Sequence, residues 1–518
     1  MGFNARLVTF NVHFGLAEDV NDSHEAGIVS YWSFIASMHR KKILELEILA
    51  WQCIICLIPM KTKNTSKPAG SVTRRTFLQN GAILTTLMAA PSLTTRLQAN
   101  KNSHLQIFQI GVGGIGGMQR SGLKDHKRSK FVGFCDVDRD IMNKVAGEYD
   151  GAWTVSDYRE AFANRADTFD AVIVDTPDFH HAPMMLTAMK HRKHIYGQKP
   201  LVQQLDELRM IREGLAARPD LVTQMGNQRA CREGRMQSVE LLRRNQLGKP
   251  VAAYVWTGGI SRGHYFADPY SDLPAAKPVP GNLNWDLWRG PIKKDIGYSE
   301  ELAPRRWRTF WDTGGGQLAD WGCHLLDLLF FAYDLPSPES VITHTHRASN
   351  DGHSSHNLST LTFPGGDKFA REKFVVQYND SGLLPSFSAL GLPPMKVGAN
   401  RTMVVCEEGT LLLEANGNIT IFRNGKVVEK EPLPKVEPRH HWEDWANLCL
   451  GEKRNTWAPF NIGVRITEPA LLAVKATRYP GQELLWDAKT HRFTNHDQAN
   501  KEIVSREYRK GFEPPKFS

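Results

Sequence analysis

Asp320 and His324 stand four residues apart in the segment Gln317–Tyr333, among apolar residues (Leu318, Leu325, Leu329 and Phe330) that recur with helical spacing. That interval puts both side chains on one helix face, and Asp327 extends the same polar stripe. An imidazole of unperturbed pKa about 6.5 suits proton abstraction, and a carboxylate one turn away can orient it or bind the same hydroxyl. The spacing describes an ordinary helix-surface pair equally well. Lys199 follows the short apolar run His194–Gly197 and is set in its loop by Pro200. Such a cation polarises a C–O bond. The three side chains together suit the oxidation of an alcohol, provided a hydride acceptor lies beside them.

A site for that acceptor precedes them in the chain. Leu105–Ile110 reads as a strand, and Gly111-Val112-Gly113-Gly114-Ile115-Gly116 follows it directly. A second strand, Phe131–Cys135, ends on Asp136, twenty residues after Gly116. Gly111 permits a tight turn, Gly113 admits a pyrophosphate close to the backbone, and Gly116 lets helix and strand pack. The helix N-terminus offers N–H groups to phosphate. Asp136 is placed to accept both ribose hydroxyls, which favours NAD, while Arg139 just beyond it keeps NADP open. The glycine triplet lies between a strand and a helix with an acid at the right distance, which is the context that gives the motif its meaning.

The rhythm continues with Asp170–Asp175, a continuous apolar run between two acids of the kind a buried parallel strand needs, and then Thr176-Pro177-Asp178 with His180 and His181 opening a helix. His194–Gly197 leads into Gln198-Lys199-Pro200, and Leu221–Met225 into Gly226-Asn227-Gln228. Ligands of open α/β sheets bind outside the carboxyl ends of the strands, so these loop starts converge on one crevice.

The ordered set Gly111-x-Gly113-x-x-Gly116, Asp136, Thr176-Pro177-x-x-x-His181, Lys199-Pro200, Pro280 through Pro291 (with Trp285-Asp286-Leu287-Trp288-Arg289-Gly290) and Asp320-x-x-x-His324 resembles the Gfo/Idh/MocA family of glucose–fructose oxidoreductase and inositol dehydrogenase. The resemblance runs from about residue 104 to the end. It implies an α/β chain with an N-terminal Rossmann domain and a C-terminal α+β domain carrying a large open, mostly antiparallel sheet. It also implies a sugar or cyclitol substrate and homo-oligomers, dimers or tetramers, formed through that sheet. On it, His324 is the expected base, with Lys199 and Asp320 binding and polarising the hydroxyl. The cofactor is expected on Gly111, Gly113, Gly114, Ile115, Gly116, Asp136, Thr176, Pro177, His181, Gln198 and Lys199, and the substrate on Asn227, Gln228, Trp307 and Arg308. The family usually has Glu before the Lys-Pro pair, whereas this chain has Gln198. An amide holds a neighbouring ammonium less firmly than a carboxylate does. Three activities follow as expectations: net dehydrogenation, a redox-neutral glycosidase that oxidises its substrate transiently and eliminates the aglycone, and cofactor retention without turnover.

Beyond Pro250 the crossover rhythm stops. Val251–Trp256, Asn357–Phe363, Phe374–Tyr378, Thr402–Cys406 and Thr410–Glu414 read as strands, and helical patterns return near His440–Leu450 and Gly463–Tyr479. The tail Leu484–Ser518 is expected to wrap the domain or a partner. His353-x-x-His356, His344-x-His346 and His440-His441 have no acid or cysteine at ligand spacing, so no metal is expected. Trp285, Trp288, Trp307 and Trp311 serve loop packing or sugar stacking alike.

The first 99 residues read as an address. Thr73-Arg74-Arg75-Thr76-Phe77-Leu78 is a twin-arginine pattern, followed by an apolar stretch from Gly81 to Pro91 and a small-residue site at Leu97-Gln98-Ala99. That stretch is too short to span a bilayer, so no stable membrane span is expected. The expected divisions are a leader at 1–59, with Met60 a better start, a signal at 60–99, a Rossmann domain at 100–228 and a second domain at 229–518. The expected partner is the twin-arginine machinery and the destination the periplasm. Cys53-x-x-Cys56 falls in the leader and reads as coincidence. Cys135, Cys231, Cys323, Cys406 and Cys449 are odd in number and scattered, so they form no disulfide framework. Of the net charge of +9, the first 99 residues hold a surplus of four. The modest remainder, without a basic run interleaved with aromatics, speaks against nucleic acid.

Overall fold

The computed structural model describes residues 104–259, 272–346, 350–453 and 455–517. The expected leader, the export signal and Cys53 and Cys56 lie outside the described residues.

The first sheet has six parallel strands: β1 (Leu105–Ile110), β2 (Ser129–Cys135), β3 (Trp153–Val155), β4 (Ala171–Val174), β5 (His194–Gly197) and β6 (Thr223–Met225). Their order is β3-β2-β1-β4-β5-β6, the doubly wound order of dinucleotide-binding domains. β4 and β5 are buried throughout, as strands covered on both faces must be. The crossovers are α1 (Ile115–Leu123), α2 (Arg139–Ala146), α3 (Tyr158–Asn164), α4 (His181–Lys190) and α5 (Leu205–Ala217). β1 pairs with both β2 and β4, so the order reverses beside β1 and the crevice opens above its carboxyl end.

After α6 (Glu233–Arg243) the chain builds a ten-stranded sheet. Its strands are β7 (Pro250–Trp256), β8 (Ser340–His344), β9 (Leu358–Pro364), β10 (Lys373–Asn379), β11 (Arg401–Cys406), β12 (Thr410–Glu414), β13 (Ile419–Arg423), β14 (Lys426–Val427), β15 (Leu484–Asp487) and β16 (Arg492–Phe493). β7 and β10 are parallel and the other neighbours antiparallel. The helices of this half are α7 (Trp285–Arg289), α8 (Gly316–Leu325), α9 (Asp327–Tyr333), α10 (His441–Cys449), α11 (Phe460–Ala476) and α12 (Asp497–Glu502). Among the described residues no helix is long and apolar enough to cross a membrane.

The two sheets share a core. α11 is buried along nearly its whole length and touches α5 and β6 of the first sheet as well as β8 and β9 of the second. A helix buried on nearly every side, its Glu468 and Lys475 included, lies between two layers. α10 returns to the first sheet as well, with Trp445 and Ala446 packed among Leu105, Ile107 and Phe134. Residues far beyond 228 therefore complete the Rossmann half.

The segment expected as one helix, 317–333, is broken at Leu326 into α8 and α9. Three successive carbonyls at the break accept side-chain bonds: Cys323 from Asn227 Nδ2 at 2.9 Å, His324 from Arg235 Nη2 at 2.7 Å and Leu325 from Thr402 Oγ1 at 2.6 Å. Carbonyls engaged from outside hold the end of α8 in place of a regular continuation.

Candidate active site

The glycine loop divides its work as the sequence suggests. Gly111 has φ +86°, and a Cβ there would lie 2.6 Å from the Asp175 carbonyl oxygen. A Cβ at Gly116 would lie 2.5 Å from the Gly111 carbonyl oxygen, which is the close packing of α1 on β1. At Gly113 a Cβ would meet nothing within 4 Å, so this face of the loop is open. It opens on a cavity of about 540 Å³ that Gly111, Gly113, Gly114, Ile115, Asp136, Thr176 and Pro177 line together. Gly114 begins α1 without a side-chain cap, so no side chain competes with a ligand there, although the Gly116 and Gly117 N–H groups turn back to the Gly113 and Gly114 carbonyls at 2.9 and 3.2 Å. Asp136 accepts from the Val112 and Asp138 N–H groups at 2.9 and 3.0 Å, and burial raises its pKa. An open cradle at a helix N-terminus with an acid at the end of β2 fits a dinucleotide: phosphates over Gly113 and ribose at Asp136.

A buried scaffold that the sequence reading missed holds this loop. Gln109 Nε2 donates to Asp175 at 2.8 Å and to the Gly116 carbonyl at 3.0 Å, and Arg120 donates to Gln109 and to the Val112 carbonyl. The second domain supplies a roof. Asn282 Nδ2 donates to Asp138 at 2.9 Å, and Leu283, Trp288, Tyr298 and the tail residue Phe512 line the cavity. Arg506 and Tyr508 tie the tail to buried Glu207, the tyrosine at 2.7 Å, so the tail does wrap the domain.

Lys199, at the carboxyl end of β5, donates to the Asp320 main-chain carbonyl at 2.8 Å and to its carboxylate. Arg308 Nε donates to the same carboxylate at 3.1 Å, while its guanidinium lies 4.1 Å from the centroid of Trp307. Trp307 and Arg308 also line the cavity. Arg308 thus joins the dinucleotide cavity to the Lys199–Asp320 pair. His324 is buried one turn along α8, and its Nδ1 bonds Asn227 Oδ1. Burial first, then Lys199 and Arg229, hold its pKa well below the ordinary histidine value, so the ring is a neutral acceptor. Trp321 stands edge-on to it at 5.9 Å.

Other expected contacts fall differently. His181 is fully occupied by the protein, with its ring nitrogens 2.7 and 2.8 Å from the carbonyls of Pro200 and Thr176, so it clamps the two loops together. Gln198 packs on Gly226 and beside Asp175, which leaves Asp320 as the carboxylate of Lys199. Asn227 is wholly buried among protein partners rather than open to a ligand, and Gln228 Nε2 lies 3.5 Å from Met118 Sδ. Asp178, in the Thr176-Pro177-Asp178 motif, was not singled out. It is buried near Arg308, Asp320 and Lys199, and burial pushes it up to about 7.

Trp285 stacks on Trp288 at 4.4 Å and Trp311 lies under Arg478 at 4.1 Å, so both are packing residues. His353 bonds the Gly314 carbonyl, His441 the Tyr196 hydroxyl, and His440 caps α10. Among the described residues no three His, Cys, Asp or Glu side chains form a metal set.

Fold and site define a two-domain, dinucleotide-binding protein with a buried cluster of Lys199, Asp320 and His324 where the domains meet. Residues 105–224 match the oxidoreductase family with an NAD-binding Rossmann fold, and residues 240–371 match that family's C-terminal α/β domain. The chain belongs to the Gfo/Idh/MocA oxidoreductase family. It is 29% identical to an inositol 2-dehydrogenase of Rubrobacter xylanophilus over 158 residues, 30% of this chain and 44% of that one. It is 26% identical to inositol 2-dehydrogenase 3 of Saccharopolyspora erythraea over 210 residues, 39% of this chain and 58% of that one. The matched stretches span about half the length of these curated relatives. Among solved structures the fold is similar to the WlbA dehydrogenase of Bordetella pertussis in complex with NADH and UDP-GlcNAcA (TM-score 0.52, 14% identity, 74% of this chain and 98% of that one). It is similar also to the aldose–aldose oxidoreductase of Caulobacter crescentus complexed with glycerol (TM-score 0.51, 15% identity, 74% and 99%).

Proposed function

We propose that this protein is a nicotinamide-dependent oxidoreductase that transfers a hydride between a sugar or cyclitol hydroxyl carbon and the cofactor. The observation that carries the reading is Arg308, which lines the dinucleotide cavity and bonds Asp320, the partner of Lys199, so that the Lys199–Asp320 pair lies one residue behind the cavity lining. The relatives named inositol 2-dehydrogenase support a polyol as substrate. The cofactor, when bound, accepts the hydride from the carbinol carbon. Lys199 polarises the C–O bond, Asp320 orients the lysine and the hydroxyl, and neutral His324 takes the hydroxyl proton at Nε2. Asp136, already engaged with two backbone N–H groups, favours NAD, because a 2′-phosphate would meet its carboxylate and that of Asp138.

Arg74-Arg75 and the stretch after them support export by the twin-arginine route to the periplasm. The half-buried face of the large sheet, with Thr360, Thr362, Val375 and Gln377, supports assembly of copies through it.

The roof of Asn282, Trp288 and Phe512 favours a second reading, a redox-neutral glycosidase that keeps its cofactor through the cycle. Purified protein tested on a panel of cyclitols, sugars and aryl glycosides separates them. NADH accumulating in step with product supports dehydrogenation. Aglycone release without NADH supports the second reading. Neither signal, with NAD still bound, overturns both.

A further inference from the structure

Asn227 ends the loop after β6, and its amide faces three groups at once. Its Nδ2 lies 2.9 Å from the Cys323 carbonyl oxygen and 2.9 Å from Asp327 Oδ2, and its Oδ1 bonds His324 Nδ1. A main-chain carbonyl can only accept. The amide nitrogen therefore must face Cys323 and Asp327, and the amide oxygen must face the imidazole. An amide oxygen is itself only an acceptor, so the imidazole nitrogen bonded to it has to carry hydrogen.

This orientation is held from behind. Asp327, the first residue of α9, pairs with Arg235 of α6, and both are buried. Arg235 Nη2 also takes the main-chain carbonyl of His324 at 2.7 Å. The chain Arg235–Asp327–Asn227 thus fixes the ring and the backbone of the same residue. The charged groups around the ring are Lys199, Arg229 and Arg235 on the cationic side and Asp320 on the anionic side. With burial, that surplus of cations keeps the ring neutral, so it has one N–H to place.

We propose that Asn227 is a positioning residue that fixes His324 in the tautomer protonated on Nδ1, leaving the Nε2 lone pair to take the substrate's hydroxyl proton. The role rests on His324 being the base of the proposed reaction. Among the described residues no partner hydrogen-bonds His324 Nε2, as an acceptor kept for a substrate requires. Neither Asn227 nor Asp327 touches the reacting atoms; they act through the imidazole.

The test is the tautomer itself, in the NAD-loaded protein labelled with ¹⁵N-histidine. Long-range ¹H–¹⁵N spectra at neutral pH, with His324 assigned by the loss of its signals in His324→Gln, show which nitrogen carries hydrogen. The expected result is a neutral ring with a pyrrole-type Nδ1 and a pyridine-type Nε2. A proton on Nε2, or on both nitrogens, overturns the proposal, whether or not any substrate is turned over. Asn227→Leu removes the acceptor at nearly constant volume. It is expected to shift the ring toward the Nε2-protonated form and to lower kcat by about 100-fold, with KM changed far less. Asn227→Gln keeps both the amide oxygen for the ring and the amide nitrogen for Cys323 and Asp327, and is expected to return the Nδ1-protonated signature. Retention of the wild-type tautomer and kcat in Asn227→Leu also overturns it. A wild-type protein with the expected tautomer but no action on any polyol would refute the dehydrogenase reading and leave this assignment of the ring standing.

Discussion

Lys199 and Asp320 meet twice, through the aspartate's carboxylate and through its main-chain carbonyl at 2.8 Å. Each side chain is 11% exposed. The lysine belongs to the loop after β5 and the aspartate to α8, so the pair spans the two domains. The charge that polarises the substrate is also a fastener between the halves that hold it.

Lys199→Met is therefore expected to cost both activity and stability. Turnover should fall by about 100- to 1,000-fold, the usual loss when a preorganised electrostatic group is removed. Breaking a buried pair removes part of the partner's compensation, and with Arg308 still on Asp320 the cost should lie at the low end, about 3 kcal/mol. Urea titration and steady-state kinetics on one preparation check both. A variant as stable as the parent would mean the pair is not a fastener.

His324→Ala should lower kcat by about 10²- to 10⁴-fold while NAD binds as before. The pH profile gives a second check. Since the ring's pKa lies well below its ordinary value, the base form persists as the pH falls through 6.5. The wild-type kcat/KM for alcohol oxidation is expected to show no loss between pH 8 and about 6 attributable to His324. A limb that halves near 6.5 and vanishes in a His324→Gln background with residual activity would contradict a neutral, buried base.

The glycine loop, Asp136, Lys199 and the Asp320–His324 interval were legible because each is a local pattern set by one strand end or one helix face. Asn227 was legible only as a residue at a strand end, and it was read as facing substrate. Its real partners lie about a hundred residues away and include a main-chain carbonyl that carries no sequence signal. The roof escaped for a related reason: Asn282 lies in the Pro280–Pro291 stretch but nothing in its type marks a bond to Asp138, and Phe512 sits in no motif. β3 has three residues and β15 four, too few for alternation to register, and β15 exists because it pairs with β8. Ile419–Arg423 sets Ile421 and Phe422 side by side and buries both, so it too gives little period-2 signal.

Acid should weaken the fold through its buried histidines. Burial lowers His180, His353 and His441 to about 3, and His194 to about 4. In the unfolded chain each protonates near 6.5. Their contribution is full above that value and is lost as the pH falls toward the folded values. Asp175 and Asp178, raised to about 7, and Asp380, raised to about 6, act oppositely: their contribution is full below about 4 and is lost as the pH rises through those values. Four histidines outweigh three carboxyls, so stability should fall by about 1 kcal/mol per pH unit between 6 and 5. Equilibrium unfolding at constant ionic strength measures the slope. A flat or opposite slope would show that the histidines are not held neutral.

Two glycines three residues apart should respond to alanine in opposite ways. At Gly116 the new methyl would lie 2.5 Å from the Gly111 carbonyl and 2.9 Å from Gln109 Nε2, and neither can yield without moving β1 or the amide that ties the loop to Asp175. Overpacking of this kind costs about 1–3 kcal/mol, so Gly116→Ala should melt lower even without cofactor. At Gly113 the methyl meets nothing within 4 Å and the backbone is not left-handed, so Gly113→Ala should melt at or slightly above the parent. The same methyl stands where the pyrophosphate must approach the helix N-terminus. NAD affinity should then drop by about 10-fold or more, the expected cost of holding the phosphates away from the backbone N–H groups. Melting curves without NAD and titration with NAD separate the two effects. An unchanged affinity in Gly113→Ala would move the dinucleotide off this loop, whatever happens at Gly116.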